Sequence, residues 1–124
     1  MTKIHEKVWG YEDWIINTPL YCSKILYLNK GWRCSLHYHK EKDETFYLLE
    51  GRVFLELESD RDFDNMTQVM KIGDTTRVHP FLLHRFTGLM DSKILEISTQ
   101  HFDEDSYRLE PSGKANPYVM KRYS

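Results

Sequence analysis

His37 and His39 stand one residue apart in the stretch GWRCSLHYHKEKDETFYLLEG (31–51), and Glu44 follows five positions after the second. Side chains two apart on a β-strand project to the same face, so both imidazoles can converge on one point. Glu44 opens the next apolar run across a short charged loop and can reach that point too. A third histidine, His84, lies in VHPFLLHRFTG, late enough to arrive from another strand. Three imidazoles and a carboxylate suit a divalent first-row metal and leave positions open in an octahedral sphere. A closed structural zinc site more typically uses cysteines, and neither Cys22 nor Cys34 is spaced for one. A His-x-His pair alone is more often two half-exposed histidines than a metal site, so the residues around it decide its meaning.

The elements that must position these side chains read as strands. Short runs rich in Tyr, Ile, Leu, Val, Phe and Thr recur between turn residues, with little helical periodicity. They are YEDWIIN (11–17), YCSKILYL (21–28), RCSLHYH (33–39), ETFYLLE (44–50), RVFLELE (52–58), TQVMKI (67–72), TTRVH (75–79), LHRFT (83–87) and KILEIST (93–99). Gly31, the third residue of the turn signal NKG, is placed to take positive φ, and Gly51 is expected to turn 44–50 into 52–58 as a hairpin. Residues 59–65, SDRDFDN, read as a polar loop. Many short strands at near-regular spacing predict an all-β sandwich or closed barrel. The tail from His101 is polar, carries Pro111, Gly113 and Pro117, and is expected to wrap the barrel or a neighbouring subunit.

A chain of 124 residues is expected to form a single domain, 1–124, with a core barrel over about 8–100 and an extension over 101–124. Hydrophobic residues make up 40% and charged residues 29%, which argues against disorder. Seventeen basic against nineteen acidic residues, with no basic block, argue against a nucleic-acid partner. No apolar stretch approaches a signal peptide or a membrane span, so the expected setting is the cytoplasm. There Cys22 and Cys34 are expected to be buried and reduced.

The spacing Gly31, five residues, His37, one residue, His39, four residues, Glu44, six residues, Gly51 resembles the first motif of the cupin superfamily at every position. The second cupin motif, Gly, five residues, Pro-x-Gly, two residues, His, three residues, Asn, is met at Gly73 and His84. His79 and Phe81 stand at its Pro and Gly positions, and Gly88 at its Asn, so the turn before His84 is built differently. VWGYEDWI (8–15) and ILEISTQHFDEDSYRLE (94–110) resemble the opening and closing segments of the cupin domain of type II mannose-6-phosphate isomerases. Trp9, Gly10, Glu96, Asp105, Arg108 and Glu110 match residue by residue, whereas the central run is His-Tyr-His-Lys here instead of His-His-His-Arg.

The resemblance implies a double-stranded β-helix, the cupin jelly-roll barrel, holding manganese, iron, zinc, nickel or cobalt on His37, His39, Glu44 and His84. It implies a metal-dependent isomerase of carbohydrate metabolism acting on a sugar phosphate, with Glu96 as the base that moves a proton between adjacent carbons. A solvent-facing or salt-bridged strand carboxylate is the plain alternative for Glu96. Arg33 and Lys40 are expected to meet the phosphate, with Lys42 and Arg77 also available, and Phe46 and Phe86 to line the substrate pocket. Trp9, Trp14 and Trp32 are expected on an outer sheet face or at the contact of a homodimer, the state the resemblance implies. Two rival functions remain: a metal-dependent dioxygenase of a small organic substrate, and a non-catalytic metabolite-binding cupin.

Overall fold

A computed structural model describes residues 2–58 and 66–124. The loop expected at 59–65 lies outside the described residues. Among the described residues thirteen strands run in chain order: β1 (Lys3–Lys7), β2 (Gly10–Asn17), β3 (Cys22–Leu28), β4 (Trp32–Arg33), β5 (Leu36–Tyr38), β6 (Glu44–Glu50), β7 (Val53–Glu58), β8 (Met66–Met70), β9 (Thr75–Val78), β10 (Leu83–Gly88), β11 (Ser92–Ser98), β12 (Tyr107–Glu110) and β13 (Gly113–Lys114). A short helix, α1 (Pro117–Tyr123), follows.

The strands form two antiparallel sheets. One has the order β1-β2-β3-β11-β6-β9; the other sets β7 and β8 on one side of β10, and β4 and β5 on the other, edged by β13 and β12. Period-two burial selects the inward faces. In β3, Cys22, Lys24, Leu26 and Leu28 are buried; in β6, Glu44, Phe46 and Leu48. Leu26, Leu28, Phe46, Leu48 and Ile94 of the first sheet meet Val53, Leu55, Leu57, Met70 and Phe86 of the second in one core. Each fully buried side chain of this size contributes about 1.5–3 kcal/mol of transfer free energy.

Three expectations are corrected here. The 44–50 and 52–58 runs are strands but not a hairpin, because β6 pairs with β11 and β9 while β7 pairs with β10 and β8. Gly51 instead carries the chain from one sheet to the other at φ +91°, where a Cβ would lie 2.2 Å from Ser92 Oγ. The expected strand 33–39 is broken into β4 and β5. Thr87 pairs with Arg33 but His84 pairs with His37, a one-residue slip that exchanges inward and outward faces between the two pieces. The tryptophans do not crowd an outer face: Trp9 is buried in the core, Trp32 packs against it, and Trp14 faces the interior cavity.

The tail wraps the barrel by adding strands to it. β12 pairs with β5, and β13 with β4. α1 begins at the cap Asn116, whose Oδ1 accepts from Tyr118 N at 2.9 Å, and Tyr123 stacks on Phe54 at 4.7 Å. No helix among the described residues is long and apolar enough to cross a membrane. Cys22 and Cys34 are free thiols, both buried.

Candidate metal centre

His37 comes from β5, His39 follows that strand, and His84 sits on β10 directly opposite His37. Their ligand atoms lie within 4.8 Å of one another. Each ring spends Nδ1 on a backbone carbonyl: His37 on Ser35 O at 2.8 Å, His39 on Asp105 O at 2.9 Å, His84 on Leu82 O at 3.0 Å. A carbonyl only accepts, so each Nδ1 carries a proton and Nε2 is the ring nitrogen left to face the shared point. Glu44 adds Oε2 at 3.6 Å from His39 Nε2 and 3.3 Å from His84 Nε2. That oxygen is buried without a hydrogen-bond partner.

Three imidazole Nε2 atoms and an anionic oxygen therefore converge, and with the rings neutral no donor stands between them. A divalent cation resolves that arrangement, and the carbonyl bonds behind the rings are the outer-shell supports that orient metal-binding histidines. The four residues fit such an ion. Burial works against the Glu44 carboxylate, but Lys42 and then His84 and His39 outweigh it and hold its pKa far below the usual carboxylate range.

No family model matches the sequence, and no curated protein matches it either. Solved structures do match the fold. The capsular polysaccharide assembling protein CapF from Staphylococcus aureus gives a TM-score of 0.75 at 19% identity, over 89% of this chain and 34% of that one. Oxalate decarboxylase from Bacillus subtilis gives 0.77 at 18%, over 87% of this chain and 30% of that one. KdgF from Halomonas sp. gives 0.71 at 17%, over 82% and 89%. The fold is a cupin jelly roll. The chain spans about a third of the length of CapF and oxalate decarboxylase, and at these identities the likeness speaks for architecture alone.

Inside the cupin barrel a cavity of about 700 Å³ adjoins the cluster and extends to His5 and Lys7 of β1. Of the residues expected to contact substrate, Phe46 and Phe86 line it, edge to face at 4.6 Å. Arg33 and Lys40 do not. The slip between β4 and β5 puts Cys34 inward in place of Arg33. Lys40 follows His39 on the outward phase and lies over the Tyr107 ring at 4.5 Å. Arg77 is exposed and paired with Asp43 at 2.7 Å.

Glu96 lines the cavity and is buried, so it is not solvent-facing. Its Oε2 accepts from Lys42 Nζ at 2.7 Å and from Ser98 Oγ at 3.2 Å. Lys42 also reaches Glu44 Oε1 at 3.1 Å, which leaves Oε2 as the oxygen facing the histidines. Burial lowers the Lys42 pKa, but Glu96 and Glu44 outweigh burial and hold the ammonium above its ordinary value. The chain Glu96–Lys42–Glu44 thus joins the expected base to an expected ligand. Spacing alone did not show it, because Lys42 leaves the loop and turns inward.

The loop turns inward because Asp105 holds it. This buried carboxylate accepts backbone N–H bonds from Lys40 at 2.9 Å, Glu41 at 3.2 Å and Lys42 at 3.0 Å, while its own carbonyl orients His39. Asp105→Ala is expected to lower the unfolding free energy by about 3 kcal/mol, since bonds to a charged acceptor contribute about 1.5–3 kcal/mol each and do not add fully. Urea denaturation measures it; an unchanged midpoint would show that the three bonds carry no net stability.

The turn before His84 differs from the motif as its residues suggested. Phe81, at the glycine position, takes φ +72°, a left-handed conformation that costs a non-glycine residue about 1–2 kcal/mol. Its N–H donates to His39 O at 2.6 Å, so the strained turn still ties the two histidine-bearing segments together.

The histidines are expected to make the metal-free protein less stable in acid. Desolvation in the cavity wall, reinforced by His84 and His39, holds His37 well below its ordinary 6.5, and burial lowers His39. Below 6.5 the unfolded chain binds protons that the folded one refuses. The stability these groups contribute is complete above 6.5 and is lost as pH falls through their lowered folded values. Thermal scans at about pH 7.5 and about pH 5.5 should give the lower Tm at the lower pH. An equal or higher Tm there would contradict neutral, buried imidazoles.

Proposed function

We propose that the protein is a metal-dependent isomerase of a hexose derivative, in the manner of the mannose-6-phosphate isomerase cupins its end segments resemble. One observation carries this reading: a buried carboxylate, Glu96, faces the same cavity as the four candidate ligands and is linked to one of them through Lys42. A divalent ion held by His37, His39, Glu44 and His84 would polarise a carbonyl or hydroxyl oxygen. Glu96 takes the proton from the carbon beside that group and returns it to the neighbouring carbon, as aldose–ketose interconversion requires. Lys42 fixes the carboxylate through Oε2, and its ammonium stays protonated throughout. Phe46 and Phe86 present ring surface to the apolar face of a sugar.

Protein loaded with manganese, iron, zinc, nickel or cobalt and assayed with mannose and fructose 6-phosphates tests the reading. Interconversion supports it. Loaded protein that leaves both sugars unchanged but consumes oxygen with an aromatic diol replaces it with the dioxygenase, a reading favoured by the apolar end of the cavity at Leu26, Leu28 and Ile94. Failure with both leaves a metabolite-binding cupin.

The same reading includes a homodimer. The outer face of the six-stranded sheet exposes Tyr47 and Leu49 on β6 and Ile97 on the adjoining β11, and offers them to a second copy. Sedimentation at micromolar concentration should give twice the chain mass; a monomer would overturn it.

A further inference from the structure

Across the six-stranded sheet beside the candidate ligands runs an inward row of Trp14, Lys24, Glu96 and Phe46, set by their strand pairings. Lys24 is only 1% exposed and lines the cavity. A buried ammonium has three donors to satisfy, and leaving them unmet is unfavourable. Lys42 uses its donors on Glu44, Glu96 and His101. Lys24 has no such set. Among the described residues its nearest carboxylate oxygen is Glu12 Oε1 at 3.6 Å, and that atom already accepts from Trp14 Nε1 at 2.8 Å. Its other contact is the Trp14 ring, 4.0 Å from Nζ.

A second nitrogen without a partner stands on the same wall. His5 stacks on Trp14 with ring centroids 4.0 Å apart, and its Nε2 is buried without a partner. Packing alone does not call for a lysine in phase with Cys22, Leu26 and Leu28, where methionine would fill the space without desolvating a charge. An ammonium with a single long carboxylate contact and an unpartnered imidazole nitrogen, both lining a cavity, are the chemistry of an oxyanion site.

We propose that Lys24, with His5, holds the oxyanion end of an acidic sugar substrate whose other end reaches the histidine cluster. This rests on reading the cavity as a substrate site. β3 is separated from β6 by β11 alone, so Lys24 and the strand bearing Glu44 are two strand spacings apart, about 10 Å. That span suits a hexose-sized molecule with a charged terminus. A carboxylate and a phosphate offer the same acceptor oxygens.

Calorimetric titration of the full chain with D-mannose, D-mannuronate and D-mannose 6-phosphate, metal-free and manganese-loaded, tests the site. The wild type should bind at least one charged sugar about 10-fold or more tighter than D-mannose, and the preferred one identifies the oxyanion. Lys24→Met should abolish that preference while D-mannose affinity stays the same, and Lys24→Arg should keep part of it. A wild type without preference for either charged sugar overturns the proposal, as does a Lys24→Met protein that retains it. The wild-type comparison stands even if Lys24→Met does not fold. Failure to take up manganese would defeat the metal reading, yet the charged-against-neutral difference remains readable in metal-free protein.

Discussion

His84→Ala protein is expected to bind a divalent first-row metal more than about 100-fold more weakly than the wild type. The figure is a lower bound, because losing an outer-shell partner alone already costs about 10–100-fold. His84 is the ligand whose loss should do most. It lies directly opposite His37, its Nε2 is 3.3 Å from Glu44 Oε2, and it is 1% exposed. Alanine there removes a lone pair from the set and leaves the Glu44 oxygen facing a void. The fold should survive, since β10 keeps its six-residue pairing with β7. Metal content after dialysis, read alongside a thermal scan, separates lost affinity from lost structure. Retention of metal at wild-type affinity would end the assignment of His84 as a ligand. Glu44→Gln should weaken retention in the same direction, with Lys42 losing one of its two carboxylates.

Glu96→Gln is expected to keep metal and lose about two to four orders of magnitude in turnover, as removal of a general base typically does. The amide occupies the same volume on β11, but it gives Lys42 a neutral acceptor in place of an anion 2.7 Å away. The candidate ligands do not include Glu96, so metal content should match the wild type. Loss of turnover together with loss of metal would make Glu96 a support for Lys42 and Glu44 instead of a base. Unimpaired turnover would remove it from the chemistry altogether.

Much of the centre was legible because it is local. Gly31 takes φ +83° and Gly51 φ +91°, and between them a period-two strand puts His37 and His39 together. Alternation also identifies Phe46 as inward, two residues after Glu44. What escaped the sequence depends on events that periodicity does not encode. The slip between Arg33 and His37 inverts the faces, so simple alternation does not carry through Cys34. The β6–β7 connection looks like a hairpin because a turn that stays in one sheet and a turn that changes sheets use the same glycine. Lys42 and Asp105 meet across distant segments, and no spacing rule predicts their contact. One missed signal was present: Lys24 is a charged residue in the buried phase of an otherwise apolar strand, directly opposite Glu96 in the register of β3 and β11.

The Asp105 clamp lies 65 positions beyond the Lys40 amide it holds. It is thus covalently remote from the loop it organises, and the intervening barrel keeps the two at high effective concentration. Cut after residue 100, the chain would become a split protein: a barrel fragment with a slack 40–42 loop, and a tail peptide that competes to restore it. Adding the peptide should then behave as ligand binding, with the recovery of ordered histidines as its readout. The jelly roll would have become a complementation reporter whose signal is the assembly of its own centre.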